Sequence, residues 1–192
     1  GNLVLEHAQC VSVLSRHRID FCCHGDESIA RASQRLGIDS GALAAELGRA
    51  IASEPTGKAP DPRTLSTESL ISHIVDRHHA YLRDTLPVVQ ELAAKVARVH
   101  GRHNPRLGVL EAVVSALHGT LVPHLDIEER LLFPELLASE PDGSTLQREL
   151  AANHSDHLMV SVLLERIRTE TDDYALPHRA CSSYRTLMSE LM

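Results

Sequence analysis

Three long stretches of this sequence carry apolar residues at steps of three and four, and this pattern restricts the fold more than any other feature. Such steps keep side chains on one face of a helix. The stretches cover residues 66–100, 105–138 and 144–171, and a shorter fourth helix is expected from about residue 178 to 192. Long amphipathic helices joined by short turns are typical of bundles. The sequence therefore predicts an all-α protein with a four-helix bundle whose last helix is short.

The segment before the bundle has a different character. Residues 3–53 predict three short helices, separated by the breaks "HGDE" and "GIDSG". The stretch "SEPTGKAPDPRT" then carries three prolines and a glycine with almost no apolar side chain, as linkers do. We expect a small helical Cys-Cys module over residues 1–53, a linker over 54–65, and the bundle over 66–192.

Composition and charge exclude several classes of protein. The chain has 43% hydrophobic and 3% aromatic residues with no Trp, which favours helices over strands. Its net charge of −7 and the lack of a basic stripe argue against nucleic acid as a partner. No stretch approaches the roughly 20 apolar residues of a membrane span, and no signal peptide is evident. Four irregularly spaced cysteines do not form a disulfide framework. We expect a cytoplasmic protein with reduced thiols and no membrane partner.

Each long stretch carries one histidine on its apolar stripe, and the second stretch adds a carboxylate one turn later. The stripes consist of Ile71, Val75, His79, Leu82, Leu86, Val89 and Val96; of Val114, Leu117, Leu121, His124, Glu128 and Leu131; and of Leu146, Leu150, Asn153, His157, Val160, Leu164 and Ile167. A buried carboxylate without a partner costs several kcal/mol or takes up a proton. The arrangement therefore calls for compensation by a metal ion, another cation or a water pocket.

A metal ion is the compensation that this pattern favours. A single histidine on an apolar stripe is more often a structural core residue, but three near mid-helix meet at one level of an antiparallel bundle. The chain also holds 13 histidines, an excess typical of metal proteins. Imidazole and carboxylate without thiolate fit iron, manganese or zinc. The spacing of His124 and Glu128 also suits a bridged metal pair, and spacing alone does not choose among these metals.

Polar residues beside the stripes have weaker claims to the site. His73, His78, His118 and His154 are lesser ligand candidates, and Glu129 is expected to face solvent. Asp156, next to His157, is expected to accept a hydrogen bond that fixes an imidazole, or to donate a proton.

Two adjacent cysteines, Cys22 and Cys23, precede a predicted helix N-terminus in "DFCCHGDESIARA". That position favours the thiolate, so they are candidate redox thiols. Burial of one of the two as a small apolar side chain is an equal alternative.

The order of these motifs resembles a known family. "DFCC" followed by "SIARA", then "LISHIVDRHHAYLRDTLP", "HLDIEERLLFP" and "DHLMVSVLLERI", is similar over nearly the whole chain to the repair-of-iron-centres (RIC) proteins. Members combine a short Cys-Cys module with a haemerythrin-like four-helix bundle that holds a non-haem di-iron centre. The resemblance implies iron as the cofactor. By position it carries the family's ligands to His79, His124, Glu128 and His157, and a frequent family acid to Asp156.

One departure from the family pattern concerns the last helix. The family carries a further HxxxE there, whereas this sequence ends with "YRTLMSELM". The expectation is that two ligands are missing from this chain, either by shortening or because a partner supplies them. A second copy that covers the exposed bundle face, giving a homodimer, is expected on the same ground.

Three functions compete at this point. The resemblance favours a stress-response protein that repairs, or supplies iron to, iron–sulfur clusters damaged by nitric oxide or oxidants. Its partners would be damaged iron–sulfur proteins or a cluster scaffold, and it would donate iron rather than turn over a substrate. The second function is a haemerythrin-like sensor or reductase that binds oxygen or nitric oxide. The third is a structural interaction bundle.

Overall fold

A computed structural model describes residues 2–21, 25–53, 62–178 and 180–192. The chain divides into two compact units, Gly1–Leu65 and Ser66–Met192.

The first unit contains four short α-helices and one 3-10 turn, Pro62–Thr64, among its described residues. The α-helices are α1 (Asn2–Glu6), α2 (Cys10–Arg16), α3 (Ile29–Leu36) and α4 (Ser40–Ala52). The prediction of three helices was wrong because residues 7–9 interrupt the first of them. Asp39 caps α4 by accepting a hydrogen bond from the Ala42 N–H at 2.6 Å.

The core of this unit is formed by the inner faces of its helices. The buried side chains are Cys10, Val13, Leu14, Ile19, Ala32, Leu43 and Leu47. Cys10 and Leu43 have no exposed surface. Burial of this apolar surface is what holds such a small unit together.

The second unit is a bundle built from four helical rods. The first rod joins α5 (Thr67–His73), a π-helical turn (Ile74–His79) and α6 (Ala80–His100) without a break. The second joins α7 (Arg106–Ile127), another π-helical turn (Glu128–Leu132) and α8 (Phe133–Leu137). The third rod is α9 (Gly143–Glu170) and the fourth is α10 (Ser182–Leu191). The all-α fold with a short last helix is therefore confirmed.

Two details of the rods depart from or extend the sequence prediction. The last helix begins at Ser182 instead of near residue 178, after a connection in which Asp172, Asp173 and Tyr174 have positive φ. Both rods with an internal proline, Pro87 and Pro123, continue through it.

The bundle core lies at the end where α6 turns into α7. Helix α7 packs against both α6 and α9, and α10 packs against α6. Side chains from all four helices meet there: Val89, Ala93, Val96, Leu110, Val114, Leu117, Ile167, Leu187 and Met188 are buried in one cluster. Because this cluster supplies apolar burial, polar residues at the other end of the bundle are free to serve another role.

The π-helical turns change which residues face the core. Leu131, which a regular helix would bury, is 51% exposed, whereas Leu132 is 4% exposed and Phe133 is also buried. A π-helical turn holds one residue more than an α-helical turn, so the buried face moves by one position. The prediction that Leu131 continues the stripe was wrong for this reason. Leu150 and Leu164 of α9 are also exposed, because α9 packs mainly against a single neighbour, α7.

One helical segment among the described residues, Arg106–Leu137, is long and apolar enough to cross a membrane by length and composition alone. It contributes Leu110, Val114 and Leu117 to the bundle core. A core helix passes the same test, so this segment is weak support for a membrane span.

Candidate metal centre

Four predicted site residues lie on three different rods and point toward one another. His79 is the last residue of the first π-helical turn, and Glu128 is the first residue of the second. His124 lies in the last turn of α7, and His157 lies in the middle of α9. His79 and His124 are only 2% and 5% exposed. Both π-helical turns thus carry residues of the site, as such turns often do.

The side chains converge on the Glu128 carboxylate. Its Oε2 lies 3.0 Å from His79 Nε2, and its Oε1 lies 3.5 Å from His124 Nε2. His157 Nε2 lies 3.2 Å from His124 Nε2. Donor atoms of His124, Glu128 and His157 all fall within 4.8 Å of one another. The structure therefore brings all four residues together.

The outer nitrogens of two histidines contact carboxylates. His79 Nδ1 lies 2.8 Å from Glu129 Oε1, and His124 Nδ1 lies 3.1 Å from Asp156 Oδ2. These contacts assign a proton to each Nδ1, because a carboxylate accepts and an Nδ1–H donates. Each Nε2 then presents a lone pair toward Glu128. Metal-binding histidines are commonly held in this way by a carboxylate behind the ring.

This donor set fits a metal ion. With Nδ1 protonated, the Nε2 atoms of His79 and His124 have no proton to share with Glu128, so lone pairs face a carboxylate. A cation among these atoms removes that repulsion. Burial, followed by the electrostatic effect of nearby His124, lowers the pKa of His157 and favours its neutral imidazole, which is the form that ligates a metal.

Glu129 belongs to the site, and the prediction that it faces solvent was wrong. Besides His79 it contacts Arg83, whose Nη2 donates at 3.0 Å. Arg83 also donates to Asp126 Oδ1 at 2.8 Å. Burial pushes the pKa of Glu129 up, but the hydrogen bonds from His79 and Arg83 outweigh it and hold the pKa below its usual range. The carboxylate behind His79 is therefore ionised and fixed.

Asn153 is a second contact of the site that the sequence did not assign a role. Its Nδ2 donates a hydrogen bond to Glu128 Oε1. Asn153 lies one turn before His157 on α9, so the sequence did carry a signal: a polar residue on an otherwise apolar stripe. The amide orients the central carboxylate, which leaves Glu128 with one oxygen toward each of two histidines.

The remaining candidates lie outside this cluster. His73, His78 and His154 are exposed and His118 is half-buried; within the described residues, none joins the converging donor atoms. Asp156 contacts His124, not the adjacent His157. Cys22 and Cys23 lie outside the described residues.

Comparison with known proteins gives matches over both units. A family model described as "Hemerythrin HHE cation binding domain" matches residues 70–192, and one described as a domain of unknown function (DUF542) matches residues 1–51. The chain is 32% identical over 187 residues to the iron-sulfur cluster repair protein YtfE of Yersinia pseudotuberculosis, and 30% identical over 187 residues to that of Escherichia coli O157:H7. Each comparison covers 97% of this chain and 83% of the relative. Since both modules match in order, this chain belongs to the family of iron–sulfur cluster repair proteins, the repair-of-iron-centres family.

Proposed function

We propose that this protein holds iron in its helical bundle and uses it to repair damaged iron–sulfur clusters. The observation that carries the proposal is the convergence of His79, His124 and His157 on the Glu128 carboxylate. Relatives that match 97% of the chain are named iron-sulfur cluster repair proteins. The chemistry of the site is compatible with iron, the metal that the name of these relatives indicates.

The donor atoms fit iron, manganese or zinc, and the named relatives favour iron among these metals. Three imidazoles and a carboxylate, without a thiolate, suit iron and disfavour copper(I) or a bound cluster. The two oxygens of Glu128 face different histidines, His79 and His124. A carboxylate placed in this way, with His79, His124 and His157, would suit a di-iron centre. When bound, such iron can be transferred to the damaged cluster of a client protein.

The residues of this chain divide the remaining work. Asp156 and Glu129 keep the inner nitrogens of His124 and His79 free of protons and directed at the metal. Asn153 fixes the Glu128 carboxylate. Asp156, which is 39% exposed, also connects the site to water and suits a proton donor or acceptor. Release of iron requires protons to return to ligands, and this acid is placed to relay them.

The same proposal indicates the client proteins and the compartment in which this protein acts. The clients are proteins that carry iron–sulfur clusters damaged by nitric oxide or oxidants, or a cluster scaffold. Cys22 and Cys23 are proposed as thiols that assist the transfer. Such a protein acts on cytoplasmic clients, and it donates iron instead of turning over a substrate.

A reactivation assay tests the proposal. The protein is loaded with iron without oxygen and mixed with an iron–sulfur enzyme whose cluster nitric oxide has damaged, and recovered enzyme activity is followed. We expect faster recovery than with an equal amount of free iron, and no gain from the iron-treated His124→Ala variant. Recovery no better than free iron contradicts repair by iron donation. Turnover of nitric oxide without any recovery would instead favour the sensor or reductase.

A further inference from the structure

A second cluster of a cysteine and a histidine lies at the opposite end of the bundle from the candidate metal centre. Cys181 precedes the first residue of α10, and its Sγ lies 3.2 Å from His100 Nε2 at the end of α6. His79 and His100 are 21 positions apart on one rod, a separation of roughly 30 Å at 1.5 Å per residue. This pair is therefore separate from the iron site.

The pair has the parts of an assisted thiol nucleophile. The Cys181 side chain is exposed, so a reagent can reach its sulfur. His100 Nε2 is near enough to take the thiol proton. The Cys181 side chain caps none of the backbone N–H groups of α10, so these groups and the positive end of the helix dipole are open to an anion. Cys10, which also lies at a helix start, differs in exposure, since it is fully buried and burial raises its pKa.

A cavity of about 200 Å³ is lined by His100 of the pair and by Ala180, the residue before Cys181. Its walls include His100, His103, Asn104, Leu107 and Tyr184. Tyr184 is 7% exposed, and its hydroxyl makes no hydrogen bond among the described residues. Burial raises the pKa of Tyr184, so the hydroxyl stays protonated and can donate. A largely buried tyrosine whose hydroxyl donor is free within the described part of the chain, in a cavity beside a thiol, indicates a place for a polar group of a ligand.

We propose that Cys181 is a modification site that undergoes thiol–disulfide exchange with a small disulfide. The sulfur of Cys181 attacks one sulfur of the disulfide, the old S–S bond breaks, and a mixed disulfide forms. His100 takes the proton of the attacking thiol, and the departing thiolate leaves with a proton. The electrons balance, because one disulfide is exchanged for another. The cavity holds the polar part of the attached thiol against Asn104 and Tyr184.

Cys181 lies next to a helix that packs in the bundle core. Helix α10 begins directly after Cys181 and buries Tyr184, Leu187 and Met188 in that core. A group attached to Cys181 that enters the neighbouring cavity would lie beside Tyr184. The site therefore connects the thiol redox state of the surroundings to the packing of the last helix.

Site-resolved kinetics test this proposal. The reduced full chain is incubated with glutathione disulfide, and each cysteine is followed by mass spectrometry of its peptide. We expect Cys181 in the folded protein to form the mixed disulfide about tenfold faster than in the proteolytic peptide that contains it. A His100→Gln change should remove most of this advantage, whereas His118→Gln, a histidine elsewhere in the bundle, should leave it unchanged.

A second variant separates the cavity from the thiol and guards against loss of the fold. Tyr184→Phe removes one hydroxyl and keeps the ring. It should slow the reaction with glutathione disulfide several-fold while alkylation of Cys181 by iodoacetamide keeps its wild-type rate. The proposal is overturned if folded protein and peptide react equally fast. It is overturned equally if His100→Gln, with unchanged helical content, reacts like the wild type.

Discussion

Replacing Glu129 tests whether the carboxylate behind His79 helps to hold the metal. Glu129→Gln keeps the shape and an oxygen that can accept the His79 Nδ1–H, but it removes the charge that Arg83 also contacts. Glu129→Leu removes the acceptor as well and leaves that buried N–H without a partner. We therefore expect both variants to fold and to bind iron more weakly, with the leucine variant the weaker of the two.

The burial of Glu129 and His79 indicates how much iron affinity each substitution should cost. Loss of a group that orients a metal-binding histidine commonly costs 10–100-fold in metal affinity. Glu129 is 31% exposed, so water screens part of its charge, and Glu129→Gln should fall at the low end, about tenfold or roughly 1.4 kcal/mol. Glu129→Leu also leaves a donor unsatisfied in a site where His79 is 3% exposed, so about a hundredfold is expected.

Anaerobic competition with a coloured iron chelator measures these affinities, and circular dichroism of the apo protein checks that the helices persist. Glu111→Gln is the matched control, because it removes the same charge from the same helix about 20 Å before the site. Wild-type affinity in both Glu129 variants refutes the reasoning. If Glu111→Gln loses as much iron affinity as Glu129→Gln, the loss comes from the change in net charge and not from the contact with His79.

Three further predictions follow from other parts of the chain. Hydrogen bonds from Thr145 and Ser144 lower the pKa of Asp142 at the start of α9. The ionised Asp142 therefore stabilises the fold above the ordinary Asp pKa, and this stabilisation is lost as the pH falls through the lower folded-state pKa. Denaturant unfolding should show that Asp142→Ala is less stable than the wild type at pH 7 and that the difference vanishes in acid. Cys10, fully buried, should be alkylated much more slowly than Cys22 or Cys23, and equal slow labelling by peptide mapping would favour buried thiols at all three positions. Light scattering at several concentrations should show a homodimer, and a monomer at every concentration contradicts this expectation.

The bundle and the convergence of its polar core side chains were predictable because their signal is periodic. Apolar steps of three and four fix a helix face, and a polar residue on that face, such as His124 or His157, is visible as an exception. The fold then brings such exceptions together, because helices pack through their apolar faces. A residue's helix face can be predicted in this way wherever the helix is regular.

The errors occur where the helices are not regular or where a contact joins distant residues. Leu131 was expected on the buried face, but the π-helical turn moved that face to Leu132. A regular-helix pattern assigns Glu129 to solvent, but the same turn allows its carboxylate to reach His79. The contact between His100 and Cys181 joins residues 81 positions apart, and neither has a periodic signal. Tertiary packing decides such contacts, so sequence patterns alone do not show them.

Iron content per chain tests the central claim, that the histidines around Glu128 hold the metal, most directly. Wild type, His124→Ala, Glu128→Ala and the control His118→Ala are loaded with iron without oxygen, desalted and measured by elemental analysis, with circular dichroism of each. We predict that the wild type and the control retain iron, whereas the two site variants lose most of it and keep their helical signal. The apolar core, not these polar side chains, supplies the folding energy, and removing a buried charge can even stabilise the apo protein. Equal iron in all four proteins would contradict the assignment of the metal to this site.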